Sequence, residues 1–184
     1  MLSAIKWFAL RSLVNDTYAT RALGVTVGEG CRIYTYLFGT EPWLVTIGNR
    51  VTVTAGCEFI THDGSTWLLR DEKGRRYRYA PIEVGDDVFI GLKTLVLPGV
   101  RIGNRCIIGA GSVVNRSIPS GSIAAGVPAR IIGSFDEYER RQLANLASQQ
   151  DMRGATYRER VEAILDHTPT PLLRRETERS TAKV

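Results

Sequence analysis

Histidine is nearly absent from this chain: His62 and His167 are the only two in 184 residues. A zinc centre built on three imidazoles is therefore excluded. Cysteine is scarce and odd in number, so the three thiols cannot all pair within the chain, and their spacing matches no zinc motif. No stretch is long and apolar enough to span a membrane. The opening residues 1–14 are apolar but carry Lys6 and Arg11, and no small-residue cleavage site follows. They read as a packing helix, not a signal peptide, which sets the expectation of a cytoplasmic protein. Charge of one sign is also missing: 24 basic against 19 acidic residues give a net +5. The basic residues are scattered, densest at Arg70–Arg78 and Arg174–Arg179, which suits a solvated surface with anionic small ligands better than a nucleic-acid groove.

What is present is a repeat. Apolar residues recur every six positions at Val84, Ile90, Val96, Ile102, Ile108 and Val114, with glycine following at Gly85, Gly91, Gly103 and Gly109. An earlier block shares the grammar in Val27-Gly28, Ile33, Ile47-Gly48, Val53 and Phe59. Four residues after the apolar position comes a small or branched residue: Cys31, Val51, Cys57, Val88, Thr94, Val100, Cys106 or Ser112. All three cysteines share this slot and are expected to be buried, reduced and unreactive. A period of six fits neither a helix nor an alternating strand; it fits a β-helix, with each short strand forming one side of a triangular coil. Gly48-Asn49, Gly85-Asp86-Asp87 and Gly103-Asn104 are the expected turns, with positive φ. The ends of such a stack need caps. The predicted organisation is a helical cap over 1–26, a β-helix over 27–133 with an extruded loop at 65–83, and helices with a frayed tail over 134–184. Ser134 and Glu137 are read as a capping box. Tyr157, Val161, Ile164 and Leu165 form a second helical face ending before Pro169.

His62 lies in Phe59-Ile60-Thr61-His62-Asp63-Gly64, where the periodicity stops and a polar insertion begins. A titratable imidazole at the edge of a regular scaffold is a candidate general base. Asp63 and Glu58 are the nearest carboxylates in sequence, and Asp63 is the expected orienting partner. The insertion carries Trp67, Arg70, Arg75 and Tyr77: the rings are suited to stacking on sugars and the guanidinium groups to phosphate. The same arm is equally suited to gripping a neighbouring subunit. Tyr34, Tyr36 and Trp43 flank a second irregularity between Ile33 and Ile47, and Tyr36 and Trp43 join Trp67 and Arg70 as candidate substrate contacts.

Val84–Gly133 resembles the hexapeptide-repeat acyltransferases, closest to the maltose acetyltransferase and surface-polysaccharide O-acetyltransferase branch. The matching residues are Ile82-Glu83-Val84-Gly85-Asp86-Asp87-Val88-Phe89-Ile90-Gly91, Leu97-Pro98-Gly99-Val100-Arg101-Ile102-Gly103, Ile108-Gly109-Ala110-Gly111-Ser112-Val113-Val114 and Ala125-Gly126-Val127-Pro128-Ala129-Arg130. The resemblance implies a left-handed parallel β-helix, a homotrimer with active sites between subunits, and acetyl-CoA as co-substrate. It makes His62 the general base in direct transfer to a sugar or polysaccharide-precursor hydroxyl, without a metal or an acyl-enzyme. Phe89, Gly91, Lys93, Gly109, Ala110, Gly111 and Arg130 become the expected cofactor contacts, with Phe89 filling an apolar slot where many relatives carry tryptophan. N–H groups near Gly91 or Gly109 are expected to serve the oxyanion. The amino group of a nucleotide-linked amino sugar and a xenobiotic are alternative acceptors, and a non-catalytic scaffold is the reading from another class. A β-helix hydratase such as a γ-type carbonic anhydrase fails for want of histidines.

Overall fold

Among the described residues fifteen short strands carry the fold, and most of their pairings are parallel because each coil returns to the same face. The computed structural model describes residues 2–13 and 15–170. One sheet stacks β1 (Thr26–Val27), β3 (Val45–Ile47), β8 (Ile82–Val84) and β11 (Arg101–Ile102). A second stacks β5 (Glu58–Phe59), β10 (Leu95–Val96) and β13 (Val113–Val114). The third runs through β2 (Arg32–Ile33), β4 (Thr52–Val53), β9 (Phe89–Ile90), β12 (Ile107–Ile108) and β14 (Ser122–Ala125), to which β15 (Arg130–Ser134) adds antiparallel. The parallel registers set Val84 beside Ile102, Ile90 beside Ile108 and Val96 beside Val114, each one coil of three hexapeptides further on. That is a three-faced parallel β-helix.

Both slots of the repeat point inward. Ile33, Val53, Phe59, Ile90, Val96, Ile108 and Val114 are fully buried, and so are Val51, Cys57, Thr94, Cys106 and Ser112. Each buried Val or Ile contributes on the order of 1.5–3 kcal/mol. The three cysteines are free and buried, and burial pushes each thiol's pKa up.

Of the expected turn residues only Asp87 has positive φ. Positive φ falls on the residue just before the second buried slot, at Gly30, Arg50, Gly56, Asp87, Lys93, Gly99, Arg105 and Gly111. The glycines that follow the apolar slot are needed for space instead. A Cβ on Gly103 would stand 2.5 Å from the Ser120 backbone nitrogen, and one on Gly91 2.5 Å from that of Ala110. Along one edge a polar ladder closes the turns: Asp86 Oδ1 accepts from Asn49 N, Asn104 Oδ1 from Asp86 N, and Ser120 Oγ from Asn104 N.

The first coil is capped by α1 (Leu2–Leu13) and α2 (Asp16–Arg21). Trp7, only 1% exposed, donates its indole N–H to Thr20. Asp16 accepts the Ile33 N–H, Thr17 donates to the Cys31 carbonyl, and Arg21 donates to the Val27 and Gly28 carbonyls. These bonds satisfy backbone groups that an open coil end would leave unpaired. After β15, α3 (Phe135–Asn145) starts where Ser134 Oγ accepts the Glu137 N–H. Residues Met1–Arg141 form one compact unit and Gln142–Val184 a second. The second contains α4 (Tyr157–Glu162), opened by a Thr156–Glu159 capping box that the sequence reading missed. The expected frayed tail at 174–184 lies outside the described residues. Among the described residues no helix is long and apolar enough to cross a membrane.

Candidate active site

His62 stands where β5 ends and the extruded arm leaves the coil. The arm runs through a 3-10 turn at Gly64–Leu68 and a small hairpin of β6 (Arg70–Asp71) and β7 (Gly74–Arg75). Ile82 and Glu83, expected in the loop, already belong to β8. The arm's return leg is tied to its root: Asp63 N donates to Arg78 O, Ala80 N donates to Thr61 O, and His62 bridges Tyr79 antiparallel. These bonds fix the backbone on both sides of the imidazole.

The side chain is held by Glu41, whose Oε2 lies 3.0 Å from His62 Nδ1. Glu41 comes from the second irregularity, just before a 3-10 turn at Pro42–Leu44. Leu37 bridges Glu58 one coil on, and the same offset of 21 residues sets Glu41 against His62. Burial pushes the Glu41 carboxyl up, but hydrogen bonds from Thr40, Thr61 and His62 and the His62 charge outweigh it and hold it at about 2. An ionised carboxylate only accepts, so Nδ1 donates to Glu41 and Nε2 is the nitrogen that Glu41 leaves unengaged. The Glu41 side chain is 15% exposed and that of His62 40%, so the imidazole is anchored on one side and open on the other.

The arm's flat groups lie alongside. The Tyr79 ring is 5.7 Å from the His62 ring, and Trp67 stacks with the guanidinium groups of both Arg70 and Arg75. Tyr36 packs on Trp7 and Phe8 of the N-terminal cap, and lines a cavity with Gly39, Thr40, Pro42 and Trp43. Trp43 is exposed.

Gly91–Lys93, Gly109–Gly111 and Ala125 stack on another lengthwise edge: Gly111 N donates to Leu92 O, and Gly109 faces Ala125. Arg130 pairs with Ala125 across the β14–β15 hairpin, so it joins that edge. Sheet strands β5, β10 and β13 lie between this edge and the one carrying His62.

The model of the bacterial transferase hexapeptide, six repeats, matches residues 81–116. Protein CapG of Staphylococcus aureus is 44% identical over 128 residues, covering 68% of this chain and 74% of CapG. The chain belongs to the bacterial hexapeptide-repeat transferases. Galactoside O-acetyltransferase of Escherichia coli is 33% identical over 100 residues, covering 54% of this chain and 49% of that enzyme. The chain thus spans about half the length of that relative. Among solved structures, a hexapeptide-repeat acetyltransferase from Vibrio cholerae covers 73% of this chain and 89% of its own at 22% identity, with a TM-score of 0.58.

Three site expectations for this hexapeptide transferase need correction. Asp63 does not hold His62. Its side chain caps the 3-10 turn by accepting from Ser65 N and Oγ, and those bonds, with help from Arg78, draw its carboxyl below the usual range. Side chains of neighbouring residues on an extended segment diverge, so the partner had to come from another coil. Of the N–H groups expected near Gly91 or Gly109 to serve an oxyanion, those of the two glycines themselves are unavailable, since they donate to Ile108 O and Ala124 O within the stack. Phe89 fills no interior slot; it is 42% exposed on the outer face, lining a groove with Arg32, Ile107, Phe135 and Tyr138. Glu41 was missed because nothing local marks it. Its signal lay in the second break of the repeat, one coil before the break that carries His62.

Proposed function

We propose that this hexapeptide transferase moves an acetyl group from acetyl-CoA to a hydroxyl of a sugar or surface-polysaccharide precursor. The carrying observation is the His62–Glu41 pair, which leaves Nε2 open beside the arm. Nε2 takes the proton of the acceptor hydroxyl as its oxygen attacks the thioester carbonyl, then returns it to the departing thiolate. Glu41 holds the tautomer and stabilises the imidazolium that forms. With all three thiols buried, direct transfer is favoured over a cysteine acyl-enzyme.

The edge of Gly91, Lys93, Gly109, Ala110, Gly111 and Arg130 is the proposed acetyl-CoA track. Gly111 has open space where a Cβ would stand, and Lys93 and Arg130 supply positive charge beside it. His62 and that track lie on different lengthwise edges of the β-helix, which supports a homotrimer in which one subunit's track meets its neighbour's His62. A left-handed coil belongs to the same reading and rests on the family likeness. The acetyltransferase names of relatives point the same way. Thiol release from acetyl-CoA, measured over a panel of sugars, tests the reading. His62→Ala is expected to lower kcat at least about a hundredfold. An unchanged rate in that variant excludes His62 as the base.

A further inference from the structure

The arm continues from His62 as a row of flat groups. Tyr77 stacks on Tyr79 at 6.3 Å and 11°, and the Arg75 guanidinium sits 4.5 Å from Tyr77 and 4.3 Å from Trp67. Arg70 lies over the same indole at 5.1 Å. The three rings are exposed, and none belongs to the buried core of the coil. In the single chain these aromatic faces are left in water beside the proposed base, where a ligand or a neighbouring subunit would cover them.

Charge narrows the choice of partner. Of the arm's arginines, Arg76 pairs with Asp71 and Arg78 with Asp63. Among the described residues neither Arg70 nor Arg75 has a carboxylate at ion-pair distance, and the Arg75 Nε is buried without a hydrogen-bond partner. Two uncompensated guanidinium groups, each steadied on an aromatic face, match the bidentate geometry of phosphate. A neutral oligosaccharide would use the rings and leave both cations unanswered.

We infer that this row is a subsite for a diphosphate-linked sugar acceptor, with the diphosphate on Arg70 and Arg75, a ring stacked on Tyr77 and Tyr79, and a sugar hydroxyl at His62. The inference rests on the transfer reading above and names its substrate class. Nucleoside-diphosphate and lipid-diphosphate sugars share the chemistry. The phosphates of coenzyme A are the competing ligand, but the proposed track for it carries its own cations, Lys93 and Arg130, on another edge.

The test uses the full chain with UDP-glucose, UDP-N-acetylglucosamine, a short polyprenyl-diphosphate sugar and methyl glucoside. Thiol release gives KM for each acceptor and for acetyl-CoA, and calorimetric titration of UDP-sugars reads binding without turnover. Arg70→Ala and Arg75→Gln are expected to raise KM for the diphosphate sugars about tenfold or more and to flatten its salt dependence. KM for acetyl-CoA and for methyl glucoside, and the melting temperature, stay as in the parent. The preferred diphosphate acceptor identifies the source. Equal losses with methyl glucoside, or a raised KM for acetyl-CoA, overturn the subsite. If no acceptor releases thiol, the transfer reading fails, and the titration still decides the subsite: UDP-sugar binding weakened in both variants supports it, and no binding overturns it.

Discussion

Glu41 holds Nδ1 of His62, and in the proposed reaction it acts through that imidazole. It is a positioning residue. Glu41→Gln keeps a hydrogen-bonding group near Nδ1 but removes the charge that favours imidazolium in the transition state. The expected result is a fall in kcat of about a hundredfold to ten-thousandfold with little change in either KM, read by steady-state thiol release. The same carboxylate links stability to pH. Its pKa is about 2 in the folded chain against the ordinary 4.5, so its contribution is complete above about pH 4.5 and lost as pH falls toward 2. At pH 7 the parent is expected to exceed Glu41→Gln by up to about 3 kcal/mol in urea unfolding, with the gap closing by pH 2. A gap that stays constant across that range removes the linkage. None of this was readable locally: the sequence marked His62 by its isolation, whereas Glu41 is one acidic residue among many until the coil sets it against the ring.

At the scale of the strand and turn, the repeat was legible because burial of one residue in six leaves a period that no helix or alternating strand shares. Both inward slots, the cysteines included, fell where the pattern put them. The turn chemistry was less legible. Arg50, Lys93 and Arg105 adopt φ of 52–56°, and no residue type announces that, whereas Asp87 at 57° lies in a turn that the sequence marked. The repeated glycines looked like turn formers, yet at Gly103 the constraint is the next coil pressing down. Gly103→Ala is expected to cost about 1–3 kcal/mol in denaturant unfolding, since its Cβ would meet backbone. Gly133→Ala, with nothing within 4 Å of the added carbon, is expected to stay within about 0.5 kcal/mol of the parent. Equal losses at the two positions would place the cost in backbone entropy instead of coil spacing.

For the whole molecule, the decisive feature is that the β-helix holds the proposed base and the proposed cofactor track on different lengthwise edges. An intersubunit site predicts complementation. His62→Ala and Gly111→Arg chains, each inactive alone, are expected to regain about a quarter of parental activity when co-assembled in equal amounts. In a ring with heterologous contacts, about one interface in four then pairs an intact His62 with an intact track. No recovery in verified mixed trimers means that each site lies within one chain. The sequence by itself determined the coil, its inward slots, the unreactive cysteines and the break at which His62 stands, because burial with a fixed period is written in composition at regular spacing. Only the tertiary structure decided that Glu41 and not Asp63 holds the imidazole, that the Gly91 and Gly109 N–H groups are already bonded, and that Phe89 faces outward. Those depend on which residue the next coil brings alongside, and irregular insertions set that register without leaving a period to read.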